Sequence, residues 1–304
     1  MAVKISVCIP THRRNEQLRA LLQDLQGQQL QPFDVVVVDN DAAGGARVVV
    51  DAFRGAGCAF QLTYAIQPER SIPLTRNMTV HLATGDWLAF VDDDERAPAD
   101  WLRKLLDCAL ATAADGVLAP VEPRVPESAP AWIRKGNFYD WPRVPTGTLV
   151  PRKHLRYGNL MLRAAPVREL PGPFDPRFAL SAGEDVDMLV RFIQRGAKVV
   201  WCDEAAVWEP VEAKRLSLNW LLMRGYSGGQ SFARIKLDGT LGKLSLPMRM
   251  VLPIQWALQL LGALLGAAVT WPLGRHRSVS WLIKAWANAG KLTGLTGRRY
   301  SAYA

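Results

Sequence analysis

Apolar residues recur along the first two hundred positions with two alternating periods. Near-continuous apolar runs at Ile5 to Ile9, Asp34 to Val38, Gln61 to Ile66, Trp87 to Val91 and Gly116 to Val121 have the length and composition of buried strands. Between them, Asn15 to Leu25, Ala46 to Phe53, Pro73 to Ala83 and Pro98 to Ala111 carry apolar residues at helical spacing. Buried strands alternating with amphipathic helices predict an α/β domain whose parallel sheet is covered on both faces. The alternation then breaks. Pro123, Pro126, Pro130, Pro142, Pro145 and Pro151 mark a long extended connection that holds Trp132, Phe138, Tyr139 and Trp141. A connection of this kind serves as a lid or binding wall, or else packs on the core. A strand at Tyr157 to Leu162, a helix opening at Glu184 and a strand at Lys198 to Cys202 then extend the sheet.

The last ninety or so residues follow another pattern. Met250 to Leu273 is uncharged throughout and rich in Leu, Ala, Gly and Val, with Trp256 and Trp271 inside it. Its length suffices to span a bilayer, although Pro253, Gln255, Gln259 and the glycines weaken that reading. Bases flank both ends, so a re-entrant or interfacial placement is expected. Farther on, Trp281, Leu282, Ala285, Ala289 and Leu292 share one helical face and Lys284, Asn288 and Lys291 the other, the signature of an amphipathic helix lying on a surface. The expected division is therefore 1–212, an α/β domain, and 213–304, a helical, basic, membrane-associating region.

Charge sharpens this picture. The formal net charge is +9, and Lys243, Arg249, Arg275, Arg277, Lys284, Lys291, Arg298 and Arg299 supply eight of those charges with no acid among them. A basic tail suits nucleic acid or an anionic membrane, and the apolar length here favours lipid over nucleic acid. The 304 residues, 49% hydrophobic and 21% charged, are ample for a large core. Four cysteines far apart in sequence, with no CxxC pair, fit reduced core thiols of a cytosolic protein. The chain opens directly on a strand-like run with no signal segment, so export is not expected.

Candidate chemistry lies where the apolar run Leu88 to Val91 meets Asp92, Asp93, Asp94 and Glu95. Four neighbouring carboxylates repel one another, and a divalent cation is the natural reason to keep them together. The plainer alternative is an acidic turn that keeps a strand end soluble. Ligands of such sheets bind at the carboxyl ends of strands, where Asp39 also falls. Glu184 and Asp185, after Gly183, form a second acidic pair at a helix start, a place that also suits an ordinary N-terminal cap. No GxGxxG follows the first strand and no GxxxxGK[ST] occurs, which disfavours a dinucleotide dehydrogenase and a P-loop nucleotidase.

The ordered set Ile9-Pro10-Thr11-His12-Arg13-Arg14, Val38-Asp39-Asn40-Asp41, Ala65-Ile66-Gln67, Arg76-Asn77, Gly85-Asp86-Trp87, Asp92-Asp93-Asp94 and Gly183-Glu184-Asp185 resembles inverting family 2 glycosyltransferases. Within that family it is similar to bacterial exopolysaccharide glucosyltransferases of the succinoglycan type, which add single sugars to lipid-linked repeat units. The resemblance covers roughly residues 4 to 212. It implies a GT-A fold, with a Rossmann-like mixed sheet, a nucleotide-sugar donor and Mg²⁺ or Mn²⁺. It also implies that Pro10, Thr11, His12, Arg14, Asp39 and Asp41 line the donor nucleotide, Thr11 and Asp39 at its uracil and ribose end. Arg76 would approach the diphosphate. Asp92 and Asp94 would form the DxD metal motif, with Asp94 coordinating directly and Asp92 meeting ribose or metal. Asp93 would lie on the donor side, and it and Glu95 would either be solvated or stand behind the direct ligands of the metal. Asp185 would be the general base and Glu184 would position the acceptor or the loop.

The sequence departs from the family pattern in three places. Asn40 replaces an acid, Glu209 stands where many members carry a histidine, and no QxxRW motif follows the acidic pair. With one long apolar segment, the last absence points to addition of one sugar rather than processive synthesis. The expected protein is a hexosyltransferase at the cytoplasmic face of the cell membrane, peripheral or monotopic. A nucleotidyltransferase making nucleotide-sugars is the alternative, although it would be expected to show a glycine-rich basic loop after the first strand. A glycosidase would not need the DxD cluster.

Overall fold

The computed structural model describes residues 3–179 and 183–296. The chain forms two compact units. The first takes Met1–Pro123, Trp141–Ala179 and Glu184–Pro210, and the second takes Arg124–Asp140 and the chain from Val211 onward.

In the first unit the alternation read from the sequence becomes β1 (Ile5–Thr11), α1 (Asn15–Gln26), β2 (Phe33–Asp39), α2 (Arg47–Ala56), β3 (Gln61–Ile66), α3 (Ile72–Leu82), β4 (Trp87–Phe90) and α4 (Trp101–Ala111). Leu18, Leu21, Leu22 and Leu25 of α1 are buried at helical spacing, and every residue of β2 is buried because helices cover both faces of the sheet. β5 (Gly116–Leu118) stops earlier than its apolar run. Pro120 cannot donate to a ladder, and the chain re-enters a separate two-stranded ribbon as β6 (Val121–Arg124). After α5 (Ala131–Arg134) the first unit resumes with β7 (Leu160–Arg163), α6 (Ala164–Arg168), α7 (Glu184–Gln194), β8 (Val199–Trp201) and β9 (Val207–Pro210), the partner of β6.

The described strands of the main sheet run in the order β3-β2-β1-β4-β7-β5-β8. β7 is antiparallel to both β4 and β5, so the purely parallel sheet expected from the strand and helix alternation is corrected to a mixed one. The reason is the long connection after β6, which brings the chain back to enter the sheet from its carboxyl edge. Phe90, the last residue of β4, pairs with Leu160, the first of β7. Everything that immediately precedes β7 therefore stands at the mouth of the sheet. Gly158 and Asn159 there adopt positive φ of 86° and 48°, which ends the strand short of its expected start at Tyr157. A Cβ on Gly158 would lie 2.6 Å from Glu95 Oε1, so the position admits only glycine.

The second unit contains α5, α8 (Leu218–Leu237), α9 (Leu246–Thr270) and α10 (Arg275–Gly294). Trp132 and Phe138 of the proline-rich connection meet at a tilt with ring centroids 5.7 Å apart, and Tyr139 packs on Trp220 while its hydroxyl donates to Arg215 O at 2.8 Å. These three rings are core of the second unit, whereas Trp141 belongs to the first. The expected surface-lying helix is α10, and its placement is a correction: it packs against both α8 and α9, and Ala285, Asn288 and Gly290 are buried. Close approach is made by glycine. Gly229 of α8 faces the carbonyl oxygen of Ala287, and Gly290 of α10 faces that of Tyr226.

α9 continues through Pro253 as one helix. It buries Leu252, Trp256, Ala263 and Ala267 and exposes Met250, Ile254, Leu258, Leu261, Leu265 and Val269 on another face. Leu246–Leu273 is long and apolar enough to cross a bilayer by length and composition, and its most apolar stretch is only 22% buried. Of the basic tail, Arg298 and Arg299 lie outside the described residues.

Gly229→Ala and Gly290→Ala are each expected to lower stability by about 1–3 kcal/mol, because the new methyl meets backbone that must move. Gly262→Ala, with nothing near its added carbon, should be neutral or slightly stabilising. Denaturant titration of the three variants separates the two classes, and equal effects would mean that the helices do not pack through glycine.

Candidate active site

The register of the sheet builds the site. Thr11 pairs with Asp39 at the ends of β1 and β2, while Cys8 pairs with Phe90, so β1 runs three residues past the end of β4. Thr11 is thereby level with Asp93, and its hydroxyl donates to Asp93 Oδ2 at 2.8 Å. Arg14 completes the join, donating from Nη1 to Asp93 Oδ1 and to Asp94 Oδ2, both at 2.9 Å. Asp93 and Glu95 are buried, which sets aside the solvated alternative for both. Burial, opposed by Arg14, pushes Asp93 up to about 7. Burial also drives Glu95 well above the usual carboxylate range, with Asp92, Glu209 and Asp94 adding repulsion. Asp92 is the most open of the four, its side chain 37% exposed.

The second acidic pair reaches the first through Arg76. Ser71 caps α3 by accepting from Leu74 N, and Arg76 on that helix is buried. Its Nη1 donates to Glu184 Oε1 at 2.5 Å and its Nη2 lies 3.6 Å from Asp92 Oδ1. The guanidinium stacks on Tyr157 at 3.3 Å and lies 5.8 Å from the ring of Phe174. Burial raises Glu184 to about 7 against the pull of Arg76. Asp185 is half-buried at the start of α7, where Oδ1 accepts from Val186 N and Oδ2 from Tyr157 N, both at 2.8 Å. Arg76 is thus committed to two carboxylates that lie far apart in sequence.

On the other side of Thr11 the chain forms a pocket wall. Asp39 is fully buried: Oδ1 accepts from Asp41 N at 3.0 Å, and Oδ2 accepts from Ala46 N at 2.9 Å and the Tyr64 hydroxyl at 3.0 Å. It orders the turn that carries Asp41, which pairs with exposed Arg13 at 3.0 Å. Pro10 and His12 are partly open, and His12 Nδ1 contacts Asn40 O at 3.1 Å. The departure at Asn40 has a physical account. Its amide donates to Gln67 O and Glu69 O and accepts from Ser71 N, a mixed set that an aspartate could not satisfy.

Sequence reasoning missed the segment before β7. Tyr157 holds Asp185 and supports Arg76, while Asn159 bonds Pro120 O, Ala205 O and the Trp101 indole. Buried Arg156 lies near the rings of both Trp141 and Trp201. The one signal was an arginine and a Gly-Asn pair inside an otherwise apolar strand.

The donor set fits a hard cation bound with a phosphate ligand. Among the described residues no three His, Cys, Asp or Glu side chains converge to hold an ion alone. Asp92 and Asp94 supply two carboxylates, and Mg²⁺ or Mn²⁺ commonly takes its other ligands from substrate phosphate and water. Asp92, Asp93, Asp94, Glu95, Glu184 and Asp185 share this site with Arg14, Arg76 and Arg156, an excess of acidic side chains that a divalent ion would balance.

Residues 6–166 match the profile described as Glycosyl transferase family 2. The chain is 32% identical, over 97% of its length and 93% of the relative's, to the Succinoglycan biosynthesis protein ExoM of Rhizobium meliloti (strain 1021). Among solved structures it is similar to the mannosyltransferase PcManGT of Pyrobaculum calidifontis in complex with GDP-Man and Mn²⁺, with TM-score 0.69 and 16% identity over 98% of this chain and 89% of that one. It is also similar to S. aureus TarS 1-349 in complex with UDP, with TM-score 0.52 and 16% identity over 98% and 93%. The two structural likenesses establish the fold, which is the GT-A fold.

Asp93 and Glu184 titrate near 7 in the folded chain, above their ordinary values of 3.8 and 4.5. The native state then holds protons that the unfolded chain has released, so stability is greatest below those ordinary values and falls as pH rises toward about 7. Urea midpoints of the metal-free protein should decline from pH 5 to pH 7.5, and Asp93→Asn should flatten the decline. A midpoint that climbs across this window would contradict the assignment.

Proposed function

The chain belongs to glycosyl transferase family 2, and on that premise we propose that it is an inverting, non-processive hexosyltransferase. It moves one sugar from a nucleotide-sugar, a UDP-sugar in this reading, to a lipid-linked saccharide in exopolysaccharide or cell-surface glycan assembly. The observation that carries this reading is the Arg76 bridge, which draws Glu184 and its neighbour Asp185 to the acidic run at the end of β4.

Each residue has a task in this scheme. Pro10, Thr11, His12, Arg14 and Asp41 line the nucleotide, Asp39 holds the turn that presents Asp41, and Asp93 fixes Arg14 and Thr11. Asp94 and Asp92 would hold Mg²⁺ or Mn²⁺, whose charge would offset that of the departing diphosphate. Arg76 lies beside Asp92 and adds positive charge on the same side. Asp185 takes the proton of the acceptor hydroxyl as its oxygen attacks the anomeric carbon, and a single displacement inverts the configuration. The two N–H groups that Asp185 accepts fix its carboxylate and leave each oxygen a further lone pair. Glu184 holds Arg76 and thereby the distance between the two acidic groups.

The relatives support this reading: one serves succinoglycan biosynthesis, and the structures of the others hold GDP-Man with Mn²⁺ or UDP. The exposed apolar face of α9, with bases before and after it, supports attachment at the cytoplasmic face of the membrane. One apolar segment of spanning length among the described residues is consistent with single-sugar addition.

Asp185→Asn should cut transfer by about 10²–10⁴-fold while leaving Mn²⁺-dependent UDP binding in place. Asp94→Ala should lose that binding instead, as should wild type treated with a chelator. Isothermal titration with UDP, alongside a UDP-release assay over a panel of UDP-sugars, reads both, and an Asp185→Asn variant that keeps full turnover sinks the proposed base. Flotation with phosphatidylglycerol vesicles should carry the full chain upward. Protein that stays at the bottom of the gradient would refute membrane attachment.

A further inference from the structure

Arg156 is a buried charge to which the proposed reaction gives no task. The residue is 6% exposed, its Nη2 donates to Ala119 O at 3.1 Å, and neither Nε nor Nη1 has a hydrogen-bond partner. Two indole rings stand close to the guanidinium, Trp141 at 5.0 Å and Trp201 at 5.5 Å from the ring centroids. Glu95, Glu209 and Asp185 are the charges that act on it, and none of them bonds its free edge. Leaving donors of a buried cation unpaired is costly, so stability does not explain the arrangement.

A hydroxyl group answers this setting, since it accepts from a guanidinium N–H and donates to a carboxylate. Of the two rings, Trp201 is fully buried in β8, whereas Trp141 is 38% exposed and lies outside any helix or strand. An open indole face beside N–H donors and carboxylate acceptors complements a pyranose, which offers a C–H face and a rim of hydroxyls. The location is apt as well. Tyr157, the next residue, gives its backbone N–H to Asp185. The charges of Glu209 and Asp185 act on this guanidinium, which disfavours an anionic sugar and favours a neutral one.

We propose that Trp141 and Arg156 form a subsite for a neutral hexopyranose of the acceptor saccharide, with Trp141 against the sugar's C–H face and Arg156 Nε and Nη1 donating to its hydroxyls. This assignment rests on the reading of Asp185 as the base that faces the acceptor. Nε and Nη1 are enclosed when the ring lies over them, so Trp141 shifts to admit the sugar. These residues would then set acceptor specificity without touching the nucleotide.

Saturation-transfer NMR of the full chain with cellobiose and with methyl β-D-glucuronide tests this, with UDP and Mn²⁺ titrated separately. Wild type should bind cellobiose in preference to the glucuronide. Trp141→Ala and Arg156→Lys should each weaken cellobiose by about tenfold, equivalent to about 1.4 kcal/mol, and Trp141→Phe should recover most of the loss. UDP affinity should stay within about twofold throughout, which also shows that the variants fold. Equal cellobiose binding by Trp141→Ala and wild type, no cellobiose contact in wild type, or equal binding of the glucuronide would overturn the proposal. Loss of UDP binding in Trp141→Ala would likewise overturn it, by moving the residue to the donor side. Absence of UDP binding in wild type, with cellobiose still dependent on Trp141, would refute the nucleotide-sugar reading and leave the subsite standing.

Discussion

The site depends on one buried cation between carboxylates supplied by distant parts of the chain. Arg76 joins Glu184 to Asp92 and lies flat on Tyr157. Removing either charge alone from such a setting strands its partner in a poorly solvated place, which is why buried pairs are costly to break even when they add little net stability. The pair therefore acts as a positional constraint. It fixes α7 against the end of β4, and with α7 comes Asp185. Thr11, Arg14 and Asp93 make a second clamp of the same kind on the opposite side of the acidic run. Between the two clamps Asp92 remains the carboxylate most open to solvent, the property a metal ligand needs.

Topology makes these clamps possible. In a wholly parallel sheet, the residues preceding a strand lie at the amino edge, away from the ligand crevice. Reversal of β7 places Arg156, Tyr157, Gly158 and Asn159 at the carboxyl edge instead. Tyr157 can then hold Asp185 and support Arg76, and Gly158 can pass against Glu95 without a side chain in the way. One reversed strand thus closes the far side of a crevice that the parallel half opens.

Local pattern made much of this legible before any coordinates. The leucines of α1 and the unbroken apolar run of β2 specify their elements by period alone, and Asp39 and the acidic run fall at strand ends as such sheets require. Strand direction is another matter, because β7 has the same apolar content whichever way it runs. The role of Asn40 was equally hidden, since it depends on three backbone groups brought together by the turn after β3. Asp93 and Glu95 could read as solvated because acidic residues usually are, and only the register of β1 against β4 shows that they are enclosed.

The second unit follows a packing logic that also escaped the charge pattern of its helices. Lys284, Asn288 and Lys291 suggested a polar face, yet Asn288 is buried, with its amide donating to Lys284 O and its oxygen accepting from Lys291 Nζ. Helices that associate in water do so chiefly by burying large apolar side chains. α8 and α10 instead meet backbone to backbone through Gly225, Gly229 and Gly290, the mode that serves where lipid removes the hydrophobic drive between helices. α9 completes the inversion by leaving Ile254, Leu258, Leu261 and Leu265 outside. In the proposed enzyme this exposed apolar face would meet hydrocarbon and give the acceptor's lipid and the protein a common phase.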